Sequence, residues 1–286
     1  MSIHTICLNC ETRLEGPYCH ECGQNADSTH RSLRELGYEL AEMLTHADSK
    51  LTRTLRRLFL APARLTTDYI AGKHASEIPP MRMFFISLLL MFTLTPPFSS
   101  VASFDAKTRT AIEKAIASIH STAHPALAEW GRNHLSKAIE NPAEVVHVMQ
   151  EWAERFILLM LPITTLTLWL LFPRRKRPLY DHAIFTLHAL TVATLTLTLI
   201  ALTGRLLPEP VSSLLSPALL LALTIHLACH MKGFYKLPLL TTLPRMALLA
   251  ITTGCAATLL LAGLGLLGLQ FGAEDYGVSS VKQDDD

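Results

Sequence analysis

Charge is scarce in this chain. Only 17% of its 286 residues are Asp, Glu, Lys or Arg, while 50% are hydrophobic; an ordinary soluble domain carries roughly a quarter charged residues. The shortage excludes an average water-soluble globule, and the formal net charge of +1 conceals local asymmetry. A secretory signal is also missing from the opening residues, which carry cysteines and charges. The first long apolar run begins near Met83 and reads as an anchor that is retained. Nor is there a glycine-rich phosphate loop, a nucleophile elbow or an HExxH helix, so the enzyme classes those motifs mark have no support. No nucleic-acid partner is expected.

What is present is apolar sequence in pieces of membrane-spanning length. Five spans can be drawn, at about 83–101, 156–172, 183–203, 211–229 and 246–269, each near the ~20 residues a bilayer core requires. Pro96-Pro97 interrupts the first and Pro162 lies in the second. A kinked or partly re-entrant first segment would reduce the count to four. Span five is rich in small residues, Gly254, Ala257, Gly263, Gly265 and Gly268, which permit close helix approach within the chain or in a homo-oligomer. The fold class expected is therefore an all-α integral membrane bundle of about five transmembrane helices.

Lys and Arg near span ends are retained on the cytoplasmic side. Arg174, Arg175, Lys176 and Arg177 follow span two, Lys232, Lys236 and Arg245 follow span four, and Lys73 and Arg82 precede span one, whereas the turn after span three has only Arg205. These signals agree on a cytoplasmic N-terminus. Residues 102–155 and an acidic tail, 272–286, ending Asp284, Asp285 and Asp286, then lie outside. Within the outer segment, Ile112, Ile116 and Ile119 share a helical face, and Asn141-Pro142 with Glu144 opens a helix into span two.

Between the N-terminal unit, 1–30, and the first span lies a pre-membrane region, 31–82. Ser32 with Glu35 resembles a capping box, and Leu33, Leu36, Leu40, Met43 and Leu44 repeat on one helical face. A second amphipathic helix follows, with Leu51, Leu55 and Leu58 on one side and Lys50, Arg53, Arg56 and Arg57 on the rest. That distribution suits contact with anionic lipid headgroups, or equally a solvated face packed on the preceding helix. Gly72 and Pro79-Pro80 close the region.

Two constellations carry chemistry. Cys7-Leu8-Asn9-Cys10 and Cys19-His20-Glu21-Cys22 are paired CxxC turns, each able to aim two thiolates at one ion; together they read as the four sulfur ligands of a closed, structural Zn2+ site, set against redox-active thiols or a disulfide pair. No position remains for a catalytic water, and metal binding would contribute most of the folding free energy of so small a unit. Cys229 and Cys255, in apolar runs, read as small packing residues.

The second constellation is intramembrane. Asp181, His182 and His188 lie at the start of span three and His226 and His230 at the end of span four, so antiparallel neighbours bring them to the cytoplasmic boundary at similar depth. Such residues read either as a second metal or proton site or as interhelical hydrogen-bond partners.

Beyond the residues themselves, the chain resembles bacterial zinc-ribbon membrane proteins known only as a domain of unknown function. The likeness rests on Cys7-Leu8-Asn9-Cys10, on Tyr18-Cys19-His20-Glu21-Cys22-Gly23-Gln24, and on Tyr180-Asp181-His182-Ala183-Ile184-Phe185-Thr186-Leu187-His188. Thr29-His30-Arg31, Thr54-Leu55, Pro62, Tyr69 and Gly72-Lys73 are similar in type and order. Two departures stand out: Ala63 where a glycine follows the proline, and Asp181 in place of a glutamate. The resemblance implies a cytoplasmic zinc ribbon joined to a membrane domain and brings no activity with it. The functional expectation is a non-enzymatic adaptor that docks a cytoplasmic protein at the lipid surface, set against a metal- or proton-linked transporter or membrane enzyme.

Overall fold

The computed structural model describes residues 6–24, 48–95, 106–118, 125–140, 142–172 and 177–280, with side chains given to Phe271 in the last helix. The capping box at Ser32, the Arg174–Lys176 run and the terminal aspartates fall outside the described residues. Among those described there are nine helices: α1 Asp48–Leu60, α2 Pro62–Ile70, α3 Pro80–Leu94, α4 Ala106–Ala117, α5 Pro125–Glu140, α6 Pro142–Leu171, α7 Leu179–Leu206, α8 Glu209–Tyr235 and α9 Leu239–Ser280. Their starts follow the proline rule. Pro62, Pro80 and Pro210 stand in the first turns of α2, α3 and α8, where a missing N–H costs nothing.

Four helices are long and apolar enough to cross a membrane: Pro142–Leu171, Leu179–Leu206, Glu209–Tyr235 and the Leu239–Phe271 part of α9. The first expected span is different. Among the described residues its helix is Pro80–Leu94, 15 residues, which rise about 22 Å against the ~30 Å of a hydrocarbon core.

The packing of α3 explains how a short helix is accommodated. Met83 shares a buried cluster with Val192 of α7, Ser87 Oγ accepts from Thr194 Oγ1 at 2.6 Å, and the Leu94 carbonyl accepts from Arg205 at 3.2 Å. Thus α3 runs parallel to the second half of α7 and reaches its last turn. The first half of α7 is covered instead by α2, whose Thr66 meets His188. Two short helices thus lie along α7, each on one half of it.

The chain divides into two compact units, Met1–Thr95 with Leu161–Ile251, and Pro96–Met160 with Thr252–Asp286. In the first, α7 is central: half of its most apolar stretch is buried inside the protein, against none of that of α8. Its buried threonines bond back along the helix, Thr186 to the His182 carbonyl at 2.8 Å and Thr191 to that of Leu187 at 2.7 Å. Their hydroxyls are thereby satisfied in an apolar setting. One core cluster joins Leu168, Phe172, Phe185, Met231, Phe234 and Tyr235, with Ala63 of α2 packed against it.

The α1–α2 pair is held by an internal ion pair. Arg57 bonds Asp68 and, at 2.6 Å, Glu77, whose side chain is only 1% exposed. Arg57, read from sequence with the headgroup-facing cations, is thus turned inward, while Lys50, Arg53 and Arg56 remain exposed. In the second unit, Gly268 lies close under α6, where a Cβ would come within 2.7 Å of Met149 Cγ. Trp130 Nε1 donates to Gln270 Oε1 at 3.0 Å beside an apolar cleft lined by Phe156, Gly263 and Leu266.

Candidate metal centre and buried imidazoles

The two CxxC segments fold as matching knuckles. In the first, Cys7 N donates to the Thr12 carbonyl at 2.8 Å and Glu11 N to that of Cys7 at 2.9 Å; in the second, Cys19 N donates to the Gln24 carbonyl and Gly23 N to that of Cys19, both at 2.8 Å. Each knuckle turns through a left-handed residue after its second cysteine, Glu11 at φ 63° and Gly23 at φ 74°. Glycine adopts that conformation without the steric cost a side chain brings. The knuckles face each other so that all four Sγ atoms lie within 4.8 Å of one another, a group able to hold one metal ion.

Its spacing can be compared with what a metal demands. Four sulfurs at ~2.3 Å from a tetrahedral ion lie about 3.8 Å apart, and here Cys7 Sγ is 3.6 Å from Cys22 Sγ and Cys10 Sγ is 3.5 Å from Cys19 Sγ. The thiols therefore fit a single ion with little movement. Their environments differ. The Thr12 hydroxyl, 3.4 Å from Cys10 Sγ, and then the Thr12 backbone lower the Cys10 thiol to about 6, while burial pushes Cys22 up to about 11. Among the described residues this is the one such group of metal-ligating side chains.

The module is not loosely tethered. Gln24, 5% exposed, donates through Nε2 to the Gly72 carbonyl at 2.7 Å, and its Oε1 accepts from the backbone N–H groups of His74 and Ala75, both at 3.1 Å. Leu8 lies on Gly72, where a Cβ would come within 2.7 Å of Leu8 Cδ1 and where φ is +92°. The left-handed φ is what calls for glycine at that position, since the Leu8 methyl can swing aside.

The intramembrane residues fall into two groups rather than one. Asp181 accepts from Arg177 at 3.1 Å in the first turn of α7, and His182 Nδ1 lies 2.7 Å from the Tyr235 hydroxyl, whose ring stacks on Phe172 at 3.9 Å. The second group gathers on Thr66 of α2: His188 Nδ1 lies 2.9 Å and His230 Nε2 2.8 Å from its Oγ1. The hydroxyl also donates to the Pro62 carbonyl at 3.0 Å. His226 sits one turn before His230, its ring 6.4 Å from that of His230 and 6.2 Å from that of Phe59.

A proton count follows from the Thr66 contacts. One hydroxyl carries one proton, so at least one imidazole must donate its N–H to the Thr66 oxygen, and both must when that proton goes to Pro62. In its neutral form such a ring leaves its far nitrogen as a bare lone pair. His188 Nε2, His230 Nδ1 and His226 Nε2 are all buried with no hydrogen-bond partner among the described residues, a costly arrangement for polar atoms. Sequence reasoning paired the histidines but gave no role to Thr66, one threonine among many, or to Gln24, which entered only as the last residue of the second knuckle's motif.

Fold and cluster together define a multi-pass, membrane-type helical protein with an N-terminal four-cysteine group able to hold a metal ion. A family described as "Protein of unknown function (DUF3667)" matches residues 48–92, the stretch running from α1 through most of α3. No curated protein and no solved structure matches the chain.

Proposed function

We propose that this is a bacterial inner-membrane adaptor whose four-cysteine module is a cytoplasmic zinc ribbon that docks a protein partner at the membrane surface. The observation that carries the reading is the seating of that module. Its inner side is fixed to the α2–α3 loop by Gln24 and Leu8, while Ile6 and Tyr18 stand 55% and 62% exposed. Large apolar side chains presented on a small, rigidly held unit are what a protein partner recognises. Zinc is the ion of choice for four thiolates at tetrahedral spacing, and with every position filled by sulfur its role is structural. The long helices serve as anchor, with Lys50, Arg53 and Arg56 against the anionic headgroups.

The test places a photo-crosslinking residue at Tyr18 in the full-length protein in living cells. A reproducible cytoplasmic adduct that disappears in a Cys19→Ser, Cys22→Ser variant supports the adaptor. Crosslinks confined to lipid, or an adduct indifferent to the cysteines, would overturn it.

A further inference from the structure

The four-cysteine module and the buried imidazoles sit at two ends of one continuous run of contacts. The Cys19 knuckle fixes the Gln24 backbone through the Cys19 N–H. The Gln24 side chain then grips the Gly72, His74 and Ala75 backbone with three hydrogen bonds. That loop is also the C-terminal cap of α2: Ala71 N donates to Thr67, Gly72 N to Tyr69 and Lys73 N to Asp68, each at 3.0 Å. His74 Nε2 lies 2.9 Å from the Tyr69 carbonyl and its ring 4.3 Å from the Tyr69 ring, which in turn meets His188 edge-on at 6.5 Å. One turn back along α2, Thr66 closes over His188 and His230.

Helix α2 has only 9 residues, too few to persist by its own propensity. Its position depends on what it is attached to. On the bundle side it is held by Thr66, by the tight crossing of Ala63 on Gly233 and by Leu65 in a buried cluster with Leu58 and Val192, and Arg57 of α1 bonds its Asp68; at its C-terminal end it is held by the module through the loop that Gln24 grips. A small four-thiol unit takes its shape from its metal, so the Gln24 grip is only as firm as the ion is bound.

We propose that the metal-loaded four-cysteine module is a latch that keeps α2 seated over His188 and His230, so that loss of the metal lifts this cover and opens the buried imidazoles. This rests on the module being a metal site but not on the adaptor role. The latch differs from docking in the surface it uses, Gln24 and Leu8 on the inner side rather than Ile6 and Tyr18 on the outer.

The experiment uses the full chain in lipid nanodiscs, with its metal counted before and after chelation, and reads carbethoxylation of individual histidines by diethyl pyrocarbonate with peptide mass spectrometry. With metal bound, His188 and His230 resist the reagent. After stripping they react at least about tenfold faster, since losing one or two hydrogen bonds of ordinary net strength shifts an opening equilibrium by about that much. His182, bonded to Tyr235 and stacked near Phe172, stays protected. Gln24→Ala reproduces the stripped pattern while retaining its metal, which separates the grip from the ion. If the wild-type protein holds no metal, the metal-site reading fails and the latch with it. If it holds metal, but neither stripping nor Gln24→Ala changes His188 and His230, only the latch is overturned. Equal exposure of His182 also overturns it, because that marks general unfolding.

Discussion

Replacing Gly233 with alanine separates two opposing physical effects. Gly233 lies inside α8, where alanine is favoured over glycine by about 1 kcal/mol on helix propensity alone. Against this, the new Cβ would come within 2.6 Å of Ala63 Cβ on α2, and neither methyl can rotate away. Overpacking of this kind costs about 1–3 kcal/mol, so the single variant should range from nearly neutral to about 2 kcal/mol less stable. The informative quantity is the cycle with Ala63→Gly. Removing the facing methyl relieves the clash, so the double variant should show a coupling energy of about 1–3 kcal/mol, independent of the propensity gain. Denaturant unfolding in mixed micelles, followed by helical circular dichroism across all four proteins, measures it. If Gly233→Ala stabilises by the propensity term and the two changes are additive, the α2–α8 crossing is not as tight as described and the reasoning is refuted. The pair also accounts for the departure at Ala63: a methyl on α2 is tolerated because the facing helix offers none.

Arg57→Ala strands Glu77, whose side chain is 1% exposed, without its cation; the loss should be about 3 kcal/mol, and adding Glu77→Gln should recover most of it, read as thermal stability in detergent. Chelation, or the Cys19→Ser, Cys22→Ser variant, should release one metal per chain and make residues 6–24 sensitive to protease while leaving bundle helicity unchanged; persistent resistance would count against a metal-ordered module. Terminal tags test the crossing number. Five crossings put the C-terminal tag within reach of protease outside intact spheroplasts and the N-terminal tag within reach only after permeabilisation, and tags on the same side exclude that count.

The readable part of this protein was the part encoded locally. Low charge and apolar runs announced membrane helices because lipid as solvent tolerates little else, and the paired CxxC turns announced a four-thiol group because each knuckle is closed by bonds between near neighbours. The helix period likewise placed His226 and His230 on one face. Tertiary structure alone decided how these pieces are used. No periodicity could show that α3 covers only half of α7, because α2 takes the other half, its Thr66 hydroxyl meeting a His188 that is 122 residues away in sequence. Nor could it show that Arg57 turns inward to Glu77, that Asp181 and His182 part company with His188, or that Gln24 is the module's grip on the bundle. Local pattern fixes which elements form and which faces are apolar; which face meets which, and which buried nitrogen is left without a partner, depends on contacts between residues far apart in the chain.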